Sequence, residues 1–367
     1  MVADVGANTL GRVLSVTTWG ESHGESMGCV VDGFPAGLKL DLVAVREELK
    51  RDIPYPALSR RVEENRMSIL SGVYEGETLG TPISILIRNS NVESDRYRLI
   101  ATTPRPGHAD LTYRLKYGHW DHRGGSRASG RTWAPLIPAG AMTKQLVGLM
   151  DIKVQTKILV LGGVEIEATG QNTLKNVINQ LAKESQETGD ATGGLVELTV
   201  TGLPAGLGAP WFWRFQADIG HAILSIPGVK SFEVGAGLAA ADLRASEFND
   251  ELTWASDGRP TSRTNRAGGV LGGITYGAPF VARFAVKPTP SILVPQRTVD
   301  VIKRSEVQMV TEGRFDANFT PRCQVIAEAL GAFVCADHLM VSGFIPHDSL
   351  VPYDERLRYA RLKEATE

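Results

Sequence analysis

Six arginines and lysines, three of the chain's seven histidines and only two carboxylates, Asp110 and Asp121, fall between Arg105 and Arg131. The whole chain carries a net charge of only −2. Positive charge is therefore concentrated here, beside glycines that let backbone approach a ligand closely. The combination suits an anionic small molecule or cofactor, although spacing alone also allows a solvated basic loop. His108 follows Pro106-Gly107, with Asp110 near enough to orient an imidazole. His23 sits earlier, in GESHG, open to donate a proton or a hydrogen bond to an anion. A turn histidine bonded to backbone is the alternative for each. Arg123, Arg127 and Arg131 recur every four residues. A helix begun near Ser126 would put Arg127 and Arg131 on one face, where guanidinium forks could hold carboxylate or phosphate. His119 and His122 do not match a helical metal pair, and no metal site is expected. Lys287-Pro-Thr-Pro-Ser291, a stiff polar segment after an apolar strand, could seat a cofactor phosphate. Arg314, Asp316 and Arg322 precede or open a long apolar helix, with Asp316 a candidate base or arginine partner.

The elements that must position these groups interleave. Alternating residues predict two strands either side of the turn at 20–24. Asp41 caps a helix over 42–51. Short strands are expected at 66–72 and 81–88, a helix over 139–150, and β-branched strand structure over 152–166 broken at Gly162-Gly163. Further helices are predicted over 169–187 and 217–225, and strands over 194–200 and 280–286. Residues 324–338 read as the clearest helix, with Val325, Ile326, Ala329, Leu330 and Phe333 on its apolar side. No tandem repeat or low-complexity linker appears. The pattern predicts an α+β fold built as one large domain over 1–367, with a peripheral tail after about residue 345.

Length and composition narrow the function. A chain of 367 residues with 43% hydrophobic and 22% charged content can bury a sizeable core. Cys29, Cys323 and Cys335 form no CxxC pair, which points away from structural zinc and disulfides and toward a cytoplasmic setting. The near-neutral balance argues against nucleic-acid binding. Membrane association is not expected, because no apolar run reaches spanning length. Neither a Gly-x-Gly-x-x-Gly after a first strand nor a Walker A sequence is present.

Read in order, GANTLGRVLSVTTWGESHG (6–24), ILSGVYEGETLGTPI (69–83), RPGHADLTYRLKYG (105–118) and DHRGGSR (121–127) resemble the chorismate synthase family. GLPAGLG (202–208), NRAGGVLGGITYG (265–277), VKPTPSI (286–292), GRFD (313–316) and PRCQVIAEAL (321–330) continue the resemblance over nearly the whole chain. It implies a β-α-β sandwich, assembly as a homotetramer, and reduced FMN in each subunit. The implied reaction converts 5-enolpyruvylshikimate 3-phosphate to chorismate and phosphate, a 1,4-elimination without net redox change. His23 matches the histidine that protonates the departing phosphate, His108 the one beside the reduced flavin, and Asp316 the aspartate that helps remove the ring proton. FMN contacts are implied at Arg127, Ala128, Ser129, Glu247, Phe248, Gly273, Lys287, Pro288, Thr289, Pro290, Ser291 and Arg314. Substrate contacts are implied at Arg51, Arg61, Arg131 and Arg322.

Segments at 50–56, 128–133 and 315–319 depart from the family pattern, the last with Phe315 in place of a histidine and no cysteine within Ala317-Asn-Phe319. An arginine-rich run that serves substrate phosphate and nicotinamide cofactor is replaced by Lys50-Arg51-Asp52-Ile53-Pro54-Tyr55-Pro56. Ser-Ser-Ala-Arg-Glu-Thr becomes Ala128-Ser-Gly-Arg-Thr-Trp133. These changes leave open a flavin-dependent paralogue acting on a related cyclohexene carboxylate, or a non-catalytic flavin- or anion-binding protein. The reduced arginine run also implies dependence on an external flavin reductase rather than on NADPH directly.

Overall fold

The computed structural model describes residues 6–59, 65–90, 94–311 and 315–356. Two antiparallel five-stranded sheets enclose a helical layer. The first sheet runs Thr9–Leu10, Ser15–Gly20, Ser26–Asp32, Ile83–Arg88, Met67–Ser71 in space. The second runs Val229–Val234, Phe280–Val286, Gly194–Thr201, Lys153–Leu161, Val164–Glu165. The α-helices among the described residues are α1 (Leu42–Lys50), α2 (Asp110–Tyr117), α3 (Leu136–Gly148), α4 (Leu174–Thr188), α5 (Phe215–Leu224), α6 (Ala245–Phe248), α7 (Thr320–Val341) and α8 (Tyr353–Arg356).

Period-two patterning sets the inner face of each sheet. Phe280, Ala282, Phe284 and Val286 point into the core, and the paired strand turns Val196, Leu198 and Val200 the same way. In the first sheet Met27, Cys29 and Val31 join Ile83, Ile85 and Ile87. A fully buried side chain of this size contributes about 1.5–3 kcal/mol. Between the sheets α3 packs on α7, with α3 touching the first sheet and α7 the second. Their approach is close because Gly140 has no side chain: a Cβ there would lie 2.2 Å from Ala329 Cβ. One continuous apolar core joins both sheets and these helices.

Most elements lie where the sequence pattern puts them, with two differences. Helix α7 starts earlier, at Thr320, and is buried all round rather than amphipathic. It is the one helix among the described residues long and apolar enough to cross a membrane, and 89% of that window is inside the fold. Among its polar residues, Asp337 accepts from the backbone of Arg12, Val13 and Leu14, and His338 meets Asp218 at 2.8 Å. After Ile345 the described chain runs over the surface, tied to the fold where Ser349 bridges to Ala36. The stretch from Arg123 is not a regular helix. Gly124 and Gly125 take positive φ (60° and 85°) and Ser126 sits at φ 50°, ψ −129°. Arg127 and Arg131 therefore diverge instead of sharing a face.

Candidate active site

A cleft of about 590 Å³ opens where the 20–25 turn, the 105–109 loop, the 123–131 turns, the 287–291 segment and the start of α7 converge. His23, His108, Arg127, Ala128, Ser129, Arg131, Asp316, Arg322 and all of Lys287–Ser291 line it. Arg105 and Lys230, which the sequence reading did not assign to the site, line it too. The walls are thus rich in guanidinium and ammonium groups, and Asp316 is the carboxylate among the lining residues.

The two histidines face successive glycines. A Cβ on Gly124 would stand 2.1 Å from His23 Cδ2, and one on Gly125 would stand 2.9 Å from His108 Cε1. Only backbone without a side chain can form this floor, and both glycines use the positive φ that other residues avoid. Ser22 Oγ donates to the Gly124 carbonyl at 3.0 Å, tying the histidine turn to the glycine pair. The His23 ring also meets Tyr97 edge-on at 5.0 Å.

His108 is held from behind. Asp110, wholly buried, lies 2.8 Å from His108 Nδ1 and accepts two bonds from Arg105, at 2.8 Å from Nε and 2.9 Å from Nη2. Burial alone would raise the Asp110 pKa. Hydrogen bonds from Arg105 and His108, with the Arg105 charge, hold it well below the usual carboxylate range instead. Arg105 Nη2 also approaches His108 Nδ1 at 3.1 Å. The Asp110 contact is the shorter of the two, which fits an Nδ1–H directed at the carboxylate, with Nε2 the nitrogen left for the cleft. Burial pushes the His108 pKa down, and Asp110 opposes that shift.

The opposite wall is the 287–291 segment. Lys287 Nζ donates to the Gly107 carbonyl at 3.2 Å, and Arg105 Nη1 donates to Ser291 Oγ at 3.0 Å. Burial, then nearby Lys230, lowers the Lys287 pKa. Thr289 Oγ1 is buried with no hydrogen-bond partner among the described residues. Arg127 turns its guanidinium to the first sheet, bonding Gly20 O, Thr18 Oγ1 and Asn8 Oδ1 at 3.1, 2.5 and 2.9 Å.

Two of the divergent segments meet here. Trp133 Nε1 donates to Asp52 Oδ1 at 3.0 Å. Asp52 also accepts from Asn65 Nδ2 at 3.0 Å and from Arg322 Nη2 at 2.8 Å. Arg131 is buried and bonds to the side-chain oxygens of Asn65 and Asn89. Sequence spacing could not pair Asp52 with Trp133, but both were visible as departures from one pattern.

Other assigned residues lie elsewhere. Arg51 does not line the cleft. It pairs with Glu48 and with buried Glu328 on α7, which also takes Lys144 and Thr156. Glu247, Phe248 and Gly273 are likewise not among the lining residues. Gly273 packs against Arg214, and Glu247 caps its own short helix through the Arg244 amide. Arg61 and Arg314 lie outside the described residues.

Known proteins resemble this chain over nearly its whole length. The family model described as chorismate synthase matches residues 14–340. Among curated relatives, chorismate synthase of Methanosarcina mazei is 43% identical over 357 residues, 92% of this chain and 97% of the relative. That of Pyrobaculum neutrophilum is 46% identical over 360 residues, 93% and 98% of the two chains. That of Methanopyrus kandleri is 42% identical over 370 residues, 94% and 95%. A crystal structure of chorismate synthase superposes with a TM-score of 0.69 at 28% identity, covering 93% of this chain and 95% of that one.

Proposed function

The chain belongs to the chorismate synthase family, and on that premise we propose that its cleft converts 5-enolpyruvylshikimate 3-phosphate to chorismate and phosphate with reduced FMN bound. The observation that carries this reading is the convergence of His23, His108 and Asp316 on one cation-walled cleft. A phosphorylated carboxylate beside a flavin phosphate needs that balance of charge.

The residues present fit FMN. Thr289 brings a buried hydroxyl with no partner among the described residues, and Lys287, Arg127 and Ser129 line the same cleft. Arg127, Ala128, Ser129 and Lys287–Ser291 would hold the cofactor. Reduced flavin, when bound, lends the substrate an electron and recovers it, so the reaction has no net redox change. This chain's own groups supply the proton handling. His23 gives its proton to the leaving phosphate oxygen, and Asp316 takes the ring proton. His108, fixed by Asp110, would stand beside the flavin when it is bound.

The same reading extends to assembly and reductant. We propose a homotetramer, supported by the exposed aromatic side chains of Trp211, Phe212, Trp213 and Trp254. Glu247, Phe248 and Gly273 would then meet flavin from a second subunit. Arg51, which the sequence reading gave to substrate, is taken up by Glu328 and Glu48. That supports dependence on a separate flavin reductase rather than direct NADPH oxidation. Anaerobic titration with oxidised and photoreduced FMN tests the cofactor assignment. The reduced form should bind more tightly, and failure of both forms to bind at tens of micromolar would refute it.

A further inference from the structure

Arg322 sits at the cleft with its fork already engaged. Nε–H donates to the Asp52 carbonyl at 2.8 Å, Nη2 to Asp52 Oδ1 at 2.8 Å, and Nη1 to Asp316 Oδ2 at 3.3 Å. Two rings lie to one side of it: the guanidinium carbon is 5.5 Å from the Trp133 centroid and 5.4 Å from that of Phe319. The two rings are themselves stacked, with centroids 4.9 Å apart and an interplanar angle of 22°. The residue is only 6% exposed, and Asp52 is 1% exposed.

Charge points the same way. Two carboxylates, Asp52 and Asp316, already share this one guanidinium, so the charge of Arg322 itself is balanced before any phosphate or carboxylate enters. Arg131 is a further cation, felt electrostatically by Asp52, and it is itself buried against Asn65 and Asn89. Asp52 is in turn fixed by Trp133 and Asn65, so neither oxygen is free to rotate away.

We propose that Arg322 is a positioning residue for Asp316, locked by Asp52 and Trp133, and not a cation that grips the substrate. The inference rests on the reading of Asp316 as the group that takes the ring proton. Asp52 and Trp133, which lie in two of the segments where the chain leaves its family's pattern, become parts of one device. It holds the Asp316 carboxylate at a set place on the cleft wall through the rigid guanidinium plane.

The test compares parent protein with Arg322→Lys, Asp52→Asn, Asp52→Glu and Trp133→Phe. Three quantities are read: substrate affinity of flavin-free protein by calorimetry, kcat with reduced FMN, and the primary isotope effect with substrate deuterated at the carbon that loses its proton. A misplaced base should lower kcat by about 10- to 100-fold in Arg322→Lys and Asp52→Asn. Affinity should stay within about threefold, and the isotope effect should rise as proton removal becomes the slow step. Asp52→Glu should recover part of the rate. Trp133→Phe keeps the stacked ring and loses one donor, so it should show the same changes more weakly and stays readable if Asp52→Asn does not fold. Loss of affinity of tenfold or more with an unchanged isotope effect would make Arg322 a substrate ligand and overturn the proposal. Asp316→Asn separates the two layers. If it retains the parent rate, Asp316 is not the base and the proposal falls with that reading. If it abolishes turnover while Asp52→Asn leaves rate and isotope effect unchanged, the base assignment stands and the positioning role alone is refuted.

Discussion

Replacing Gly124 by alanine should disable the enzyme without dismantling it. The new Cβ would lie 2.1 Å from His23 Cδ2 and 2.4 Å from Nε2. Ordinary van der Waals contact begins near 3.4 Å, so the imidazole must withdraw by about 1.3 Å, the difference between 3.4 and 2.1. A misplacement of about 1 Å in a reacting group can cost about 100-fold in rate, or about 2.7 kcal/mol of transition-state stabilisation. The backbone penalty is smaller: alanine at φ 60° costs about 1–2 kcal/mol. Gly124→Ala should therefore remain folded and bind reduced FMN, while kcat falls at least about 100-fold. Gly125→Ala provides the contrast. Its Cβ would meet His108 Cε1 at 2.9 Å, so a shift of about 0.5 Å suffices, and the flavin side of the cleft is disturbed instead. The assay is anaerobic turnover with photoreduced FMN, alongside a flavin titration and a thermal melt. Turnover of Gly124→Ala within threefold of parent, in a folded flavin-binding protein, would refute the claim that the glycine pair sets the place of His23.

Further outcomes follow from the same geometry. His23→Ala should slow phosphate departure by about 100- to 10,000-fold, whereas His108→Ala should change the pH dependence of the bound reduced flavin's spectrum; comparing turnover with that spectrum separates the roles. The Asp110 carboxyl titrates below its unfolded value of about 3.9, so its stabilising contribution is present at neutral pH and lost as pH falls from about 4 toward the folded value. Asp110→Asn should cost on the order of 3 kcal/mol at pH 7, and the gap from parent should shrink in denaturant melts near pH 3. Gly140→Ala would press a methyl into Ala329 and should destabilise by about 1–3 kcal/mol, read as a lower denaturant midpoint. NADPH alone in air should give negligible turnover, restored anaerobically by an added flavin reductase; efficient NADPH oxidation by the purified protein would contradict this.

Much of the site could be read in the sequence because its pieces are local. His23 between Ser22 and Gly24, His108 two residues from Asp110, and the proline-stiffened Lys287–Ser291 each carry their geometry within a few positions. Strands such as Phe280–Val286 were legible for the same reason, since one buried face imposes strict alternation. What escaped was set by long-range packing. The Arg127–Arg131 spacing matched a helix, but adjacent positive-φ glycines break the chain there. Arg51 looked available to substrate until α7 brought Glu328 beside it. Asp52 and Trp133 stood out only as anomalies, because 81 residues separate them in the chain. Helix α7 seemed amphipathic because paired polar residues such as Glu328 and His338 pass for a solvent face in a one-dimensional pattern.

The central claim is that this cleft expels phosphate and removes a ring proton from one substrate molecule. The most direct measurement follows phosphate release and diene absorbance together, without oxygen, after mixing the protein and photoreduced FMN with 5-enolpyruvylshikimate 3-phosphate. The account predicts one phosphate per diene, with the flavin reduced again at the end and both signals lost in Asp316→Asn. Tight flavin binding with no phosphate released would contradict it.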